Sequence, residues 1–384
     1  MDLGERLQSV RRRRGLTRRE LAESSGVAPS LIREIERGER EDIGLTTLRR
    51  FAIALGCPLT TLLSPNPAPP DTNDGSTLWA PARAALQSLP DTPASAPTPG
   101  LEAALSDATR LYHDNEYERL ARVLPLLIEE AASAAPLLRS RTLQLAGSVM
   151  VQTRQPAPAR RALHRALADA ESTGDTLDAA STVVTLCWLL IVERRFDTVR
   201  TLATHWADRI EPRLSTATTR EISTWGWLLL RGSAAAARDN RPDEAEDMMR
   251  LATTAAAALR PEPIPYHHYW TTFDPATVAM KRVENLVVDN RPDLALRLAR
   301  DIPADPRPTS DNRNRHRIDI AAAHLELGDP EAAFDVLTSL ARDARPWLAE
   351  QRSARDLLGR IIAERRTLTP DMRQLADTLR LDFR

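Results

Sequence analysis

The chain has 384 residues, too many for one ordinary domain and enough for two or three. With 42% hydrophobic and 27% charged residues it has the composition of a globular protein able to bury a core. Its 52 basic against 53 acidic side chains leave a net charge of −1, which excludes a polybasic, histone-like chain. The balance is uneven: residues 1–64 hold twelve Arg against nine Asp or Glu, a charge of +3, and residues 65–384 carry 40 − 44 = −4. A slightly basic N-terminal block is the first sign of an anionic partner.

Lys281 is the single lysine, so the arginine excess reflects an Arg- and Ala-rich composition of the kind GC-rich coding produces and is not itself evidence for nucleic-acid binding. Cys57 and Cys187 are far apart in unrelated contexts, which fits a reducing cytosol. The start MDLGERLQSV has acidic residues where a secretory leader needs positive charge and an apolar run. The longest apolar stretch, Val183–Val192, is about half of the roughly 20 residues a membrane span needs. A cytoplasmic protein with no membrane partner is expected.

In the N-terminal block, Leu3, Leu7 and Val10 share one helical face and Gly15 ends that helix. Thr17 and Glu20 have capping-box spacing for a short second helix with Leu21 and Ala22 inward. Ala22 is small where two steeply crossed helices approach, Gly26 suits a tight turn, and Val27, Ile32 and Ile35 face the core from the next helix. The set Ala22, Gly26, Val27, Ile32 and Ile35 at this spacing resembles the helix-turn-helix of the phage-repressor (Cro/cI, XRE) family over residues 3–63, with IERGE and LTTLRRFAIALGCPLTTLL as its fourth and fifth helices.

That resemblance implies a five-helix, lambda-repressor-like DNA-binding head whose recognition helix spans Ala28 to Arg37. Pro29, Ser30, Arg33 and Glu34 then take the outward, base-facing places, and Arg18, Arg37 and Arg40 are expected on phosphate. Arg33 suits guanine and Glu34 a cytosine amino group. Ala28 departs from the Ser or Thr that caps this helix in the family, with Pro29 a good first-turn residue beside it. The run Arg11–Arg14 reads either as a solvated helix C-terminus favoured by the dipole or as one or two phosphate contacts.

Residues 64–100 hold nine of the 28 prolines, so 65–100 is expected to be a linker. One short helix interrupts it, docking through Leu78, Trp79, Ala82, Ala85 and Leu86.

From 101 to 384 the periodicity is helical, with no alternating strand pattern, and a unit recurs. Its central small or apolar residues are Leu120, Ala159, Val199, Ala245, Ala295 and Ala333, at spacings of 39, 40, 46, 50 and 38. Each unit is a helix, a turn punctuated by Gly, Asn or Pro, and a second helix; about seven stack into a superhelix with a concave face, or else form an irregular bundle. The pattern resembles tetratricopeptide repeats, best in LELGDPEAAFDVLTSLARDARP, though its periods exceed the usual 34 residues. The expected fold class is therefore all-α, a helix-turn-helix head followed by a right-handed TPR-like solenoid.

A head of this kind on such an array resembles the RRNPP peptide-pheromone receptors. The resemblance implies a homodimer on palindromic double-stranded DNA, with a signalling peptide held in the array's concave groove. If the first helix of each pair lines the groove, counting back from each turn nominates Arg141, Gln144, Ser148, Gln152, Ser181, Val184 and Trp188, then Trp227, Arg231, Arg238, Thr277, Met280, Glu284, Arg315, Ile318 and Ala322. Those side chains suit a peptide bearing a carboxylate. A small-molecule sensor and an adaptor that holds another protein are the other readings. The segment PEPIPYHHYWTTFD (261–274) is a lid or a core plug, and His267-His268 lacks further ligands at metal spacing. No phosphate loop, GxSxG, HExxH or CxxC occurs, so neither an enzyme, a metal nor a cofactor is expected.

Overall fold

The computed structural model describes residues 3–40, 42–63, 77–91, 96–259, 272–303, 309–363 and 367–381, without the side chains of Arg13 and Ser310. All regular structure among them is helical, and no helix there is long and apolar enough to cross a membrane.

The head is built from α1 (Leu3–Arg13), α2 (Arg18–Ser25), α3 (Pro29–Glu36) and α4 (Leu45–Ala54). IERGE, expected as a separate fourth helix, is the end of α3 and the turn after it, and LTTLRRFAIALGCPLTTLL, expected as the fifth, is α4 followed by a single 3-10 turn, Leu59–Thr61. Thr17 and Glu20 form the capping box of α2, and Gly26 closes that helix at φ 64°. Leu7, Leu21, Ile32, Ile35, Phe51 and Leu59 are essentially fully buried and make the core. Ala22 is buried as expected, and a close helix crossing lies at Gly4, where a Cβ would stand 2.1 Å from the Ile35 carbonyl oxygen, so α1 and α3 meet backbone to backbone.

After the head, α5 (Ala80–Ser88) follows Trp79, which is buried edge-on against Tyr117 at 6.1 Å between ring centroids. Ala82, Ala85 and Leu86 are buried with it, whereas Leu78, expected on the same face, is 38% exposed. It precedes the helix, in the 3-10 turn Thr77–Trp79, and so falls off the helical register.

The array is a series of helical hairpins. They are α6 (Leu101–His113) with α7 (Tyr117–Ala131), α8 (Pro136–Gln152) with α9 (Pro156–Ser172), α10 (Thr176–Val192) with α11 (Phe196–Arg209), and α12 (Thr219–Arg238) with α13 (Pro242–Ala258). Then come α14 (Pro275–Val288) with α15 (Pro292–Arg300), α16 (Ser310–Glu326) with α17 (Pro330–Asp343), the short α18 (Arg345–Ala349), and α19 (Arg352–Ala363) with α20 (Pro370–Thr378). Each of the six residues used to find the repeat, Leu120, Ala159, Val199, Ala245, Ala295 and Ala333, is buried in the second helix of its hairpin. The first helices α8, α10 and α12 are buried on nearly every side, as expected for helices sandwiched between neighbours.

One turn geometry repeats. Asn115, Arg154, Arg194, Asn240, Asn290 and Gly328 all have φ between 56° and 79°, each two residues before the next helix. Around each, two amides cap the preceding helix, as in Arg154 N–H to the Val151 carbonyl and Gln155 N–H to that of Met150. This is the Schellman arrangement, which needs a left-handed residue at that point. Asn and Gly accept it readily; Arg154 and Arg194 do so at a cost of roughly 1–2 kcal/mol.

The head sits on the α12–α13 turn. Arg49 Nη2 donates to the Ala237 carbonyl (2.8 Å) and to Asp289 Oδ1 (2.7 Å). The Thr60 N–H donates to Asp239 Oδ1, the Leu59 N–H to the Asp239 carbonyl, and Asn240 Nδ2 reaches the Cys57 carbonyl. Asp239 is fully buried and also accepts from Arg200 and Arg241.

Candidate nucleic-acid interface and ligand cavity

The helix-turn-helix presents α3 outward. Pro29, Ser30 and Arg33 are exposed and Glu34 half-buried, so the four side chains expected to face bases are on the free side of the helix. Ala28 makes no side-chain cap, as its methyl group requires, which leaves the first amides of α3 unsatisfied by the protein side chain. Among the described residues Arg33 has no ion-pair partner, whereas Glu34 lies 3.8 Å from Arg40. Arg37 and Arg40 are more than half exposed and available to phosphate.

Arg18 is differently placed from the expectation of a free phosphate contact. Its Nε donates to Glu36 Oε2 at 2.6 Å, and Arg11 grips the same carboxylate with two bonds of 2.6 and 3.0 Å. Burial alone would raise the Glu36 carboxyl, but the hydrogen bonds from Arg11 and Arg18 outweigh it and hold the carboxyl below its ordinary range. Arg11 is itself buried, and Arg14 donates to the Gly56 carbonyl, so two of the Arg11–Arg14 run serve the head's own structure.

A cavity of about 990 Å³ lies between the array and the head. Its walls come from α8, α10, α12, α14, α16 and α19, and from the head, where Ser24, Gly26, Leu45, Arg49 and Ile53 close one side. Of the sixteen groove residues read from the sequence, thirteen line it. Three do not. Arg141 is turned to Asp178 (3.2 Å), Thr277 is fully buried with its hydroxyl toward the Thr272 carbonyl, and Met280 is buried away from the cavity. Thr277 and Met280 miss because Asp274 caps α14, and the face of that helix toward the cavity carries Lys281, Glu284 and Val288 instead.

The lining holds ten cationic side chains (Arg49, Arg50, Arg154, Arg194, Arg231, Arg238, Lys281, Arg315, Arg352 and Arg360) and five acidic ones (Glu284, Asp311, Asp319, Glu326 and Asp356), a formal surplus of +5. Eight of these cations and all five acids come from residues after 64, a surplus of +3 within a stretch that sums to −4, so the cationic lining is a local feature. Glu284 is shared between Arg238 and Lys281. Burial pushes both Asp311 and Asp319 up to about 7, so near neutrality each carries only part of its charge and the effective surplus is larger. Burial likewise brings Arg154 and Arg231 down to about 10, which leaves both charged at neutral pH.

Sequence reasoning missed Lys281, the turn arginines Arg154 and Arg194, Asp311, Asp319 and every head residue of the wall. Aligning TRQP and ERRF on the recurring DNRP turns would have found the two arginines; nothing local marks the others. Residues 261–271, with His267-His268, lie outside the described residues. Of that segment's end, Phe273 is buried with its ring where a Cβ on Gly226 would stand.

Residues 7–62 match the family model described as Helix-turn-helix (HTH_3), and the head is a helix-turn-helix domain. No curated protein matches the sequence. The crystal structure of a PrgX/iCF10 complex is similar at 12% identity over 96% of this chain and 98% of that one, with a TM-score of 0.29.

Proposed function

We propose that the chain is a sequence-specific transcriptional regulator, with a DNA-binding head (1–64), a linker (65–100) and a TPR-like array (101–384) that senses a short signalling peptide. The observation that carries this is the shared wall: α4 and the α2–α3 turn of the reading head close the same cavity that the array lines. A ligand there touches both parts, so any preference it has for one head position becomes a preference for one DNA-binding geometry. The protein acts without catalysis, as a cytoplasmic homodimer joined through the array, and presents two α3 helices to half-sites about 34–36 Å apart on a palindromic operator.

A peptide is favoured over a small apolar effector by the cationic, hydrogen-bonding lining and by the size of the cavity, at the upper end of the range for ligand sites. An operator selected from random DNA, titrated with and without peptide fractions of conditioned medium at fixed salt, tests the proposal. A shift in operator affinity is expected, and its absence with every low-mass fraction refutes peptide sensing. Within the head, Arg33→Ala should relax base preference, whereas Arg37→Ala should weaken all DNA alike and flatten the salt dependence.

A further inference from the structure

We infer that Arg231, within cation–π distance of Trp188 and Trp227 on the cavity wall, is the seat of a carboxylate carried by the array's ligand. The inference rests on the cavity being the ligand site, and it names the group that site recognises. Trp227 and Arg231 stand one turn apart on α12, and the guanidinium carbon lies 5.2 Å from the Trp227 ring centroid and 5.7 Å from that of Trp188 on α10. Two indole rings at cation–π distance attract the guanidinium but supply no hydrogen-bond acceptor, which leaves its N–H groups for another partner.

That edge is unserved. Among the described residues Arg231 makes no ion pair, and its buried Nε has no acceptor; the buried Nε1 of Trp227 has none either. Two orphan donors one turn apart on a cavity wall are costly to bury and call for an acceptor from outside the chain. The neighbouring cations differ in this respect. Arg238 and Lys281 share Glu284, so that carboxylate is already engaged twice. Asp319, which faces Arg315, Glu284, Lys281 and Arg238, is half protonated near neutrality because of its burial. Arg231 itself stays charged there. A planar carboxylate matches a guanidinium edge with two parallel bonds. The carboxylate belongs either to a peptide, as its terminus or an acidic side chain, or to a small organic acid.

The test uses the full-length protein and three probe sets: short random peptides lacking Asp and Glu with free C-termini, the same pool amidated, and a series of mono- and dicarboxylic acids. Free-acid peptides should bind roughly 10- to 100-fold more tightly than their amides, the range for a charge-assisted pair. Arg231→Gln should abolish that difference, with free-acid affinity falling to the level of the amides. If that variant loses its helical circular dichroism, Arg231→Lys carries the test, since it keeps the charge, lacks the fork, and should lose most of the discrimination.

Equal binding of acid and amide pools by the unaltered protein overturns the inference and leaves the peptide reading standing. Arg231-dependent binding of organic acids alone upholds the inference and refutes the peptide reading. Stronger competition by inorganic phosphate than by acetate, or no binding of any probe set, overturns the inference.

Discussion

Removing the guanidinium of Arg49 should detach the head from the array without unfolding either. Arg49 bridges them with one bond to the Ala237 carbonyl and one to Asp289, and its side chain is only 11% exposed, so little water competes. A hydrogen bond to a charged partner is worth about 1.5–3 kcal/mol net. Asp289 retains 28% exposure and is resolvated when Arg49 is lost, which places the net effect of Arg49→Ala near 2 kcal/mol, a roughly 30-fold shift away from the docked state.

Hydrogen exchange reads this directly, because the Leu59 and Thr60 amides donate to Asp239 across the interface and are exposed when the head lifts. Exchange at those two amides should rise about 30-fold, with the α8 and α10 amides unchanged. A rise below twofold would mean that Arg49 does not hold the head and would refute the reasoning.

Four further outcomes follow from the same structure. Glu36→Gln should destabilise the head by about 3–5 kcal/mol, since it leaves Arg11 and Arg18 without their shared carboxylate, and a lower melting temperature with lost DNA binding would show it. Because the folded-state Glu36 carboxyl lies below its usual value, its contribution is fully present above the ordinary carboxylate range and lost as pH falls below it, so acid titration of the head checks the sign. Arg154→Gly should raise the array's stability by about 1 kcal/mol in denaturant melts through relief of left-handed strain, while weakening anionic ligands. Binding of an anionic ligand should tighten between pH 8 and pH 6, as Asp311 and Asp319, both pushed to about 7 by burial, take up protons; a flat profile in that window would contradict their placement.

The head was legible because its rules are local. A capping box, a glycine turn and a spacing of buried aliphatics determine it within a few dozen residues, and only the Gly4–Ile35 approach and the Glu36 triad needed three dimensions. The groove was legible on most first helices that run on unbroken from their turn, as at Gln144, Ser181, Trp227 and Arg315, but not at Arg141, which pairs with Asp178 instead. It failed on α14, where the start of the helix is set by Asp274 after a long segment that no repeat register predicts. The head's share of the cavity wall was not legible at all. It depends on Asp239 and Asp289 meeting a head 179 and 240 residues earlier in the chain, and single-chain periodicity carries no trace of that pairing.

The central claim is that the cavity and the DNA-reading head are coupled through their shared wall, and reciprocity tests it most directly. With the ligand identified from the probe sets and the operator from selection, the factor by which saturating ligand changes operator affinity is measured beside the factor by which saturating operator changes ligand affinity, both at one salt concentration. Equal factors of roughly 5 or more, both collapsing toward unity in Arg49→Ala, are the expected result. Two factors of unity, with ligand and operator each still bound, would contradict the account.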